Sequence, residues 1–87
     1  MDKIYKSIIS ALIFATDEPI KANELIKAIK AIDGEDIVVT VQEVETAVEE
    51  LNSVYEQTEQ PFRIRRIAEG FIYATDAGYA NYIGYLS

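Results

Sequence analysis

The side chains that most often perform catalysis are scarce in this chain of 87 residues, which contains no histidine and no cysteine. Nucleophilic chemistry would therefore depend on hydroxyl groups, those of the threonines and of Ser7, Ser10, Ser53 and Ser87. None of these lies in a Gly-x-Ser-x-Gly elbow or beside an evident general base. Glu45 and Glu49 lie one helical turn apart, but functional carboxylates normally converge in a pocket, so a solvated helix face is the simpler interpretation. The sequence predicts no enzymatic activity.

Three acidic residues beside Gly34 (Asp33, Glu35 and Asp36) resemble a calcium-binding loop only in part, because the 12-residue ligand pattern of such loops is missing. The chain also contains no glycine-rich loop that could cradle a phosphate group. We therefore expect neither a bound metal ion nor a cofactor.

Arg63, Arg65 and Arg66 are the candidates for contacting nucleic acid, since phosphate groups attract basic side chains. They stand against a formal net charge of −7, and three charges are too few for tight DNA binding at physiological salt. Residues 31–60 contain no lysine or arginine and nine acidic residues, which are Asp33, Glu35, Asp36, Glu43, Glu45, Glu49, Glu50, Glu56 and Glu59. The arginines could instead pair with this acidic segment, stack on Tyr73 or contact a protein partner.

The first element that positions these residues is a predicted helix over residues 2–15, in which Ile4, Ile8, Leu12 and Ala15 repeat at helical spacing. Its second half is apolar nearly all round, because three further apolar residues widen the stripe: Ile9, Ile13 and Phe14. Such a helix is covered on more than one side. It is either the central helix of a small bundle or is buried against a second protein chain. We therefore take these three residues as interface candidates.

Two more helices follow. Pro19 ends the first helix, residues 20–21 form a short extended stretch, and a second helix covers residues 22–32 with Gly34 suited to its C-cap. Residues 37–39 are β-branched and predicted to be extended. Thr40 and Glu43 fit a capping box that opens a third helix, which reaches residue 57.

The pattern then changes to that of a β-hairpin. Residues 62–67 and 71–75 are rich in aromatic and β-branched residues and flank Ala68, Glu69 and Gly70. We expect a three-residue loop with Gly70 in the left-handed conformation. Strict alternation fails at the adjacent charges Arg65 and Arg66, where a bulge or a strong twist would explain the pattern.

A last short helix is predicted over residues 77–86, with Asp76 as its N-cap. It carries much aromatic and apolar surface for its length, including Tyr79, Tyr82, Tyr85 and Leu86. Tyrosine is enriched in binding hot spots, so these side chains form a protein interface, pack on the hairpin of the same domain or, in an intact protein with a second domain, pack against that domain. We take them as further interface candidates.

Three helices, a two-stranded hairpin and a short last helix are the order of an α+β, mainly α-helical winged-helix domain. In a DNA-binding member, the third helix enters the major groove and offers basic or amide side chains to the bases. Here its outward face carries carboxylates instead: Glu43, Glu45, Glu49, Glu50 and Glu56. The connection over residues 33–39 is also longer than the usual turn of a DNA reader. We expect a domain that binds proteins, and a winged-helix DNA-binding transcriptional regulator is the alternative.

Length and composition point to a soluble domain. A hydrophobic fraction of 49% argues against disorder, and 87 residues are enough for a single domain over residues 1–87. No apolar run reaches the roughly 18 residues that span a membrane, and residues 1–6 do not resemble a signal peptide. Since the absence of cysteine fits a reducing compartment, we expect a cytoplasmic protein without membrane contact.

The chain resembles the N-terminal domain of the segregation and condensation protein B family. The likeness lies in residues 9–15 (Ile-Ser-Ala-Leu-Ile-Phe-Ala), in residues 17–20 (Asp-Glu-Pro-Ile) and in the Val-x-x-Ala-Val-x-x-Leu-Asn-x-x-Tyr pattern of residues 44–55. It continues through the hairpin of residues 62–71 into Ala74 and Thr75, with Tyr79 and Tyr82 beyond. The order and spacing of these pieces carry the resemblance.

The resemblance implies a dimeric, non-enzymatic subunit of the bacterial Smc–kleisin complex, which condenses and partitions the chromosome. Its expected partners are a second copy of itself, the kleisin called segregation and condensation protein A and, through the kleisin, the Smc ATPase. A nucleoid-associated place in the cytoplasm follows from this role. The family has two winged-helix domains, and we expect this chain to hold only the first. The stretch over residues 31–39 is longer than the family's usual connection.

Overall fold

The computed structural model describes residues 3–87, with the side chains described from residue 5 onward. Within this part of the chain the helices are α1 (Lys3–Ala15), α2 (Ala22–Asp33), α3 (Val41–Gln57) and α4 (Ala80–Tyr85), and a 3₁₀ turn (Ala77–Tyr79) precedes α4. The strands are β1 (Ile20–Lys21), β2 (Phe62–Ile67) and β3 (Gly70–Thr75), which form one antiparallel sheet in the order β1-β3-β2. This architecture confirms the predicted winged helix.

Short-range interactions set the ends of the helices, as the sequence predicted. At the start of α3, the Thr40 N–H donates to Glu43 Oε1 (3.0 Å) and the Glu43 N–H donates to Thr40 Oγ1 (3.1 Å). The hydrogen bond from the Thr40 backbone lowers the pKa of the Glu43 carboxyl. Gly34 ends α2 with a φ of 127°, and its N–H donates to the Lys30 carbonyl at 2.9 Å.

The turn of the hairpin differs from the prediction. It is a two-residue turn, in which Ala68 and Glu69 adopt left-handed φ angles of 52° and 64°, as the favoured hairpin turns require. Gly70 is not left-handed but is the first residue of β3, paired with Ile67 and with Lys21. The glycine is needed because strand β1 passes so close that a Cβ on Gly70 would lie 2.9 Å from Pro19 Cβ.

The predicted bulge at Arg65 and Arg66 is wrong, because the two strands pair without interruption from Phe62–Thr75 to Ile67–Gly70. Side chains alternate along a strand, so Arg66 shares a face with Ile64 and Phe71, which are buried against the helices. Arg66 lies at the end of this face, where half of its side chain reaches solvent. A charged residue therefore fits the inward row without breaking the register.

Residues 37–39 form no strand. The chain turns after α2 with a hydrogen bond from the Ile37 N–H to the Gly34 carbonyl (3.2 Å). Val39 enters the core, whereas Val38 is exposed. Ile37, Val38 and Val39 favour an extended backbone, but they pair with no strand in the structure. Three residues with a preference for strands are therefore not enough to extend the sheet.

The hydrophobic core lies between the three long helices and the inner face of the sheet. Asn52 joins α3 to the outer edge of β2, where its amide accepts from the Ile64 N–H (2.8 Å) and donates to the Ile64 carbonyl (2.9 Å). These two bonds satisfy backbone groups that an edge strand otherwise leaves unpaired. The buried residues of the core are Ile9, Ile13, Ala22, Leu25, Ile29, Val39, Val44, Ala47, Val48, Ile64 and Phe71.

Candidate functional site

The outward face of α3, which would meet DNA in a DNA-binding winged helix, is acidic. Glu49, Glu50 and Glu56 are exposed on it. Glu50 lies 3.6 Å from Lys6 Nζ, and Glu45 forms an ion pair with Arg66. If this face docked on DNA, the remaining carboxylates would come close to the phosphates of the duplex, and charges of like sign repel each other. The structure therefore places the acidic residues where the sequence predicted them.

The three arginines of strand β2 form hydrogen bonds within the domain. Arg63 Nη1 donates to the carbonyls of Gln60 (2.8 Å) and Phe62 (2.7 Å). Arg65 Nη2 donates to the Thr75 carbonyl at 3.4 Å. None of these bonds involves a carboxylate, and Arg65 is exposed whereas Arg63 is half-buried.

Arg66 shows the intramolecular role that was one of the predicted alternatives. Its Nη2 donates to Glu45 Oε2, and its guanidinium lies 5.0 Å from the centre of the Phe71 ring. The predicted ring partner, Tyr73, is wrong because Tyr73 stands opposite Ile64 in the hairpin and Phe71 stands opposite Arg66. Arg66, the arginine on the inner face of the hairpin, thus offsets one negative charge of α3, that of Glu45.

A second surface is an open groove between α1, the C-terminal half of α3 and the sheet, which we call the aromatic groove. Its volume is about 440 Å³, and its lining is formed by uncharged residues: Ser7, Ser10, Ala11, Phe14, Tyr55, Phe62 and Tyr73. The rings are packed edge to face, with 4.8 Å between the centres of Tyr55 and Phe62 and 6.1 Å between Phe14 and Tyr73. Such packing stabilises the groove as a preformed aromatic surface.

Three hydroxyl groups at the floor of the aromatic groove hydrogen-bond to one another. The Tyr73 hydroxyl lies 2.6 Å from the Tyr55 hydroxyl and 2.7 Å from Ser10 Oγ. Burial, together with the neighbouring Tyr55, raises the pKa of Tyr73 to about 12. The group is therefore neutral at physiological pH and links α1, α3 and β3 rather than acting as a base. Sequence analysis missed this cluster, and the available signal was the spacing of Ser7, Ser10 and Phe14 along one side of α1.

The third surface is the C-terminal arm, which we define as residues 77–87. It contains no charged residue, and α4 packs mainly on the 3₁₀ turn that precedes it. Tyr82, Tyr85 and Leu86 are 77%, 89% and 83% exposed, and Tyr79 is 40% exposed. The alternative that these side chains pack on the domain's own hairpin does not hold for the three most exposed ones.

The direction of the arm is set where it leaves the sheet. The Asp76 N–H donates to the Pro61 carbonyl at 2.8 Å, and the Asp76 carboxylate accepts from the Gly78 N–H at 3.3 Å. Asp76 is thus the N-cap that the sequence predicted, although it caps the 3₁₀ turn and the helix proper begins at Ala80. Because Thr75 pairs with Phe62, the arm begins next to the aromatic groove.

The predicted interface residues divide into two groups. Ile9 and Ile13 are completely buried in the core of the domain, so their prediction as interface residues is wrong: the helix face that carries them is covered by α2, α3 and the sheet. Phe14 is 78% exposed at the mouth of the aromatic groove. For Phe14 and the four arm residues, contact with a partner stays a prediction.

The acidic side chains of the described part of the chain were the candidates for metal binding and for acid–base chemistry. Among residues 3–87, no group of three acidic, histidine or cysteine side chains is placed to hold a metal ion. Glu45, half of the carboxylate pair considered for acid–base chemistry, is engaged with Arg66. No helix within the same range is long and apolar enough to cross a membrane.

The fold and these surfaces define a winged-helix domain with an acidic third helix. Residues 7–87 match the model of the family described as segregation and condensation complex subunit ScpB, and the chain belongs to that family. No protein in the curated set matches.

Solved structures share the fold. A conserved hypothetical protein from Chlorobium tepidum is 30% identical with a TM-score of 0.75, over 99% of this chain and 51% of that one. ScpB from Mycobacterium tuberculosis is 22% identical with a TM-score of 0.72, over 99% of this chain and 49% of that one. A dimer of the ScpB N-terminal domain complexed with ScpA peptide is 24% identical with a TM-score of 0.74, over 98% of this chain and 96% of that one. The chain thus spans about half the length of the first two.

Proposed function

We propose that this chain is a non-enzymatic winged-helix domain that works by binding proteins in a segregation and condensation complex. Its partners are the kleisin called segregation and condensation protein A, the Smc ATPase through that kleisin, and a second copy of the chain. Membership of the ScpB family supports this role, as does a structure of the same fold that was solved as a dimer with ScpA peptide. The corresponding location is the cytoplasm, at the nucleoid.

The observation that carries the proposal is the charge on α3. Glu49, Glu50 and Glu56 occupy the face that reads DNA in other winged helices. The one inward-facing wing arginine, Arg66, is already paired with Glu45. With a net charge of −7, the domain as a whole is repelled by a polyanion. No feature of the described residues favours a DNA-binding regulator over a protein-binding subunit.

The surfaces available to protein partners are uncharged and rich in aromatic residues. Phe14 and the arm residues Tyr82, Tyr85 and Leu86 are largely exposed, and large exposed apolar patches on soluble domains mark sites of protein contact. Tyrosine at such sites buries a large area with little loss of side-chain entropy. We therefore propose that Phe14, Tyr79, Tyr82, Tyr85 and Leu86 contact protein partners.

Isothermal titration calorimetry against purified segregation and condensation protein A from the same organism tests this function. We expect saturable binding by the wild-type chain and no detectable binding to a random duplex of about 20 base pairs at physiological salt, because too few basic groups face outward. A Val38→Ser variant, which changes an exposed apolar residue at the α2–α3 connection outside the proposed contact residues, should bind the kleisin as the wild-type chain does. Tight duplex binding that Arg65→Ala abolishes, together with no kleisin binding, would overturn the proposal in favour of the regulator.

A further inference from the structure

We infer that the C-terminal arm of one copy occupies the aromatic groove of a second copy, so that two chains exchange arms about a twofold axis. This inference rests on the self-association in the proposed function and specifies which surfaces perform it. The occupant of the groove is thereby defined as residues 77–87 of an identical chain.

The arm needs a partner because it cannot be stable by its own interactions. Helix α4 has six residues, and isolated helices of this length are not stable in water without tertiary packing. Its own domain supplies little packing beyond the preceding turn. The side chains that would make such packing, Tyr82, Tyr85 and Leu86, point largely into solvent. These side chains therefore need a covering surface that the described residues of the same domain do not supply.

The aromatic groove has the matching chemistry. None of its lining residues is charged, and none of the arm's residues is charged, although 26% of the chain consists of charged residues. Phe14, Phe62 and the Tyr55 ring supply apolar walls for aromatic side chains. The hydroxyls of Ser10, Tyr55 and Tyr73 offer hydrogen-bond partners for a tyrosine that enters the groove.

Electrostatics favours contact at these two surfaces over contact elsewhere. Two copies, each with a net charge of −7, repel one another wherever their acidic faces approach. Between them, the arm and the aromatic groove form an uncharged surface through which the copies can meet without bringing carboxylates together. A twofold contact that pairs arm with groove also uses each surface once and closes after two copies.

The connection of the arm favours the groove of a second copy over that of its own domain. Asp76 holds the start of the arm by its bonds to Pro61 and Gly78, and beyond it the side chains of Tyr82, Tyr85 and Leu86 remain largely exposed. With these bonds formed, no residue of the arm lines the aromatic groove of its own domain. Docking onto a second copy leaves them intact, which is the low-cost route by which identical elements are exchanged.

The two most exposed arm tyrosines supply a large part of the area that a dimer interface needs. Taking about 200 Å² for a fully exposed tyrosine, Tyr82 and Tyr85 at 77% and 89% exposure present about 330 Å² per arm. Two exchanged arms therefore contribute about 660 Å² from these tyrosines, and the groove surface that they cover adds to this toward the roughly 1,200–2,000 Å² of specific interfaces. Leu86 and Phe14 add to this area.

Sedimentation velocity of the wild-type chain and two variants, over a range of protein concentrations, is the first test. Tyr82→Ser combined with Tyr85→Ser alters the arm, and Ala11→Glu places a charge in the aromatic groove. Both variants change exposed positions, and circular dichroism checks that they fold. We expect each variant to weaken the dimer by about 100-fold or more, as loss of paired hot-spot residues does, and Val38→Ser to leave it unchanged.

Cross-linking with a short bismaleimide distinguishes the occupants of the groove, because the chain has no cysteine of its own. Mixing Ala11→Cys and Leu86→Cys chains that differ in tag mass should give a cross-linked heterodimer. Ile32→Cys is the control, because Ile32 is 85% exposed but lies on α2 and does not line the aromatic groove. Mixing Ile32→Cys with Leu86→Cys should therefore give no cross-linked heterodimer. A chain with both Ala11→Cys and Leu86→Cys that cross-links only within itself, even at high concentration, would overturn the arm exchange.

The remaining outcomes separate this inference from the proposed function. A dimer that survives both the arm and the groove variants overturns the arm exchange and leaves self-association standing. A wild-type chain that is monomeric at all concentrations overturns the exchange and the proposed self-association, while the kleisin titration decides independently on the rest of the proposed function. Variants that keep the dimer but lose kleisin binding would assign the groove to the kleisin instead.

Discussion

Replacing Gly70 with alanine tests why the hairpin needs a glycine at this position. Gly70 is buried and pairs with Ile67 on one side and with Lys21 on the other. An added Cβ would lie 2.9 Å from Pro19 Cβ, 3.0 Å from the Pro19 carbonyl carbon and 3.1 Å from the Ile20 nitrogen. Two of these three atoms belong to the backbone and cannot rotate away, so strand β1 has to move from β3.

The expected cost follows from this crowding. Inserting a methyl group into a filled site costs about 1–3 kcal/mol, and the backbone contacts at Gly70 place the change in the middle of that range. We therefore expect the free energy of unfolding to fall by about 2 kcal/mol, which lowers the midpoint of thermal unfolding by about 8–16 °C in a domain of this size.

Urea unfolding followed by far-ultraviolet circular dichroism measures this loss. Gly84→Ala is the matched control, because an added Cβ at Gly84 meets no atom within 4 Å. We expect that variant to change the free energy of unfolding by less than about 0.5 kcal/mol, as is usual for open surface positions.

A Gly70→Asn variant separates the two reasons for a glycine. Asparagine tolerates left-handed backbone better than alanine does, so a left-handed Gly70 would make asparagine the milder change. In the structure, the left-handed residues are Ala68 and Glu69, and we expect asparagine to be at least as destabilising as alanine. An asparagine variant more stable than the alanine variant, or an alanine variant as stable as wild type, would refute this reasoning.

Two further predictions concern polar contacts. Tyr73→Phe should lower the free energy of unfolding by about 1 kcal/mol, because Tyr55 and Ser10 lose the hydroxyl that joins them. Since the pKa of Tyr73 is raised from 10.0 to about 12, its contribution is complete below pH 10 and lost as the pH rises through 12; alkaline unfolding titrations should show a smaller loss in Tyr73→Phe. In a double-mutant cycle of Arg66→Gln and Glu45→Gln, whose side chains are 54% and 31% exposed, we expect a coupling below about 1 kcal/mol that weakens further in high salt, and a coupling near 3 kcal/mol would contradict this.

Helix positions could be predicted from the sequence because the signals that start and stop helices are local. Thr40 and Glu43 stand three residues apart and bond to each other in the structure. Gly34 and Asp76 likewise act on backbone groups within four residues. The predicted third helix, ending at residue 57, agrees with α3 (Val41–Gln57). The carboxylates on its outer face, and hence the argument against DNA reading, could be located for the same reason.

The roles of Gly70 and Arg66 could not be predicted, since each depends on a segment distant in sequence. Gly70 lies next to a turn, which suggested a left-handed residue, but its neighbour in space is Pro19. Arg66 interrupted the expected alternation, but Glu45 on α3 lies where the end of the sheet leaves room for its side chain. In both cases the pairing of distant elements decided the function of the residue.

The amino-acid pattern by itself determined the order of helices and strands and the acidic third helix, because these depend on composition and short-range spacing. Only the tertiary structure decided which side of α1 faces inward. A helix that is apolar nearly all round has no preferred face in its own periodicity. Which face is buried depends on the elements that pack against α1, and these follow it in the chain. Ser10 meets Tyr55 and Tyr73, which follow it by 45 and 63 residues, so Ile9 and Ile13 became core while Phe14 stayed at the surface.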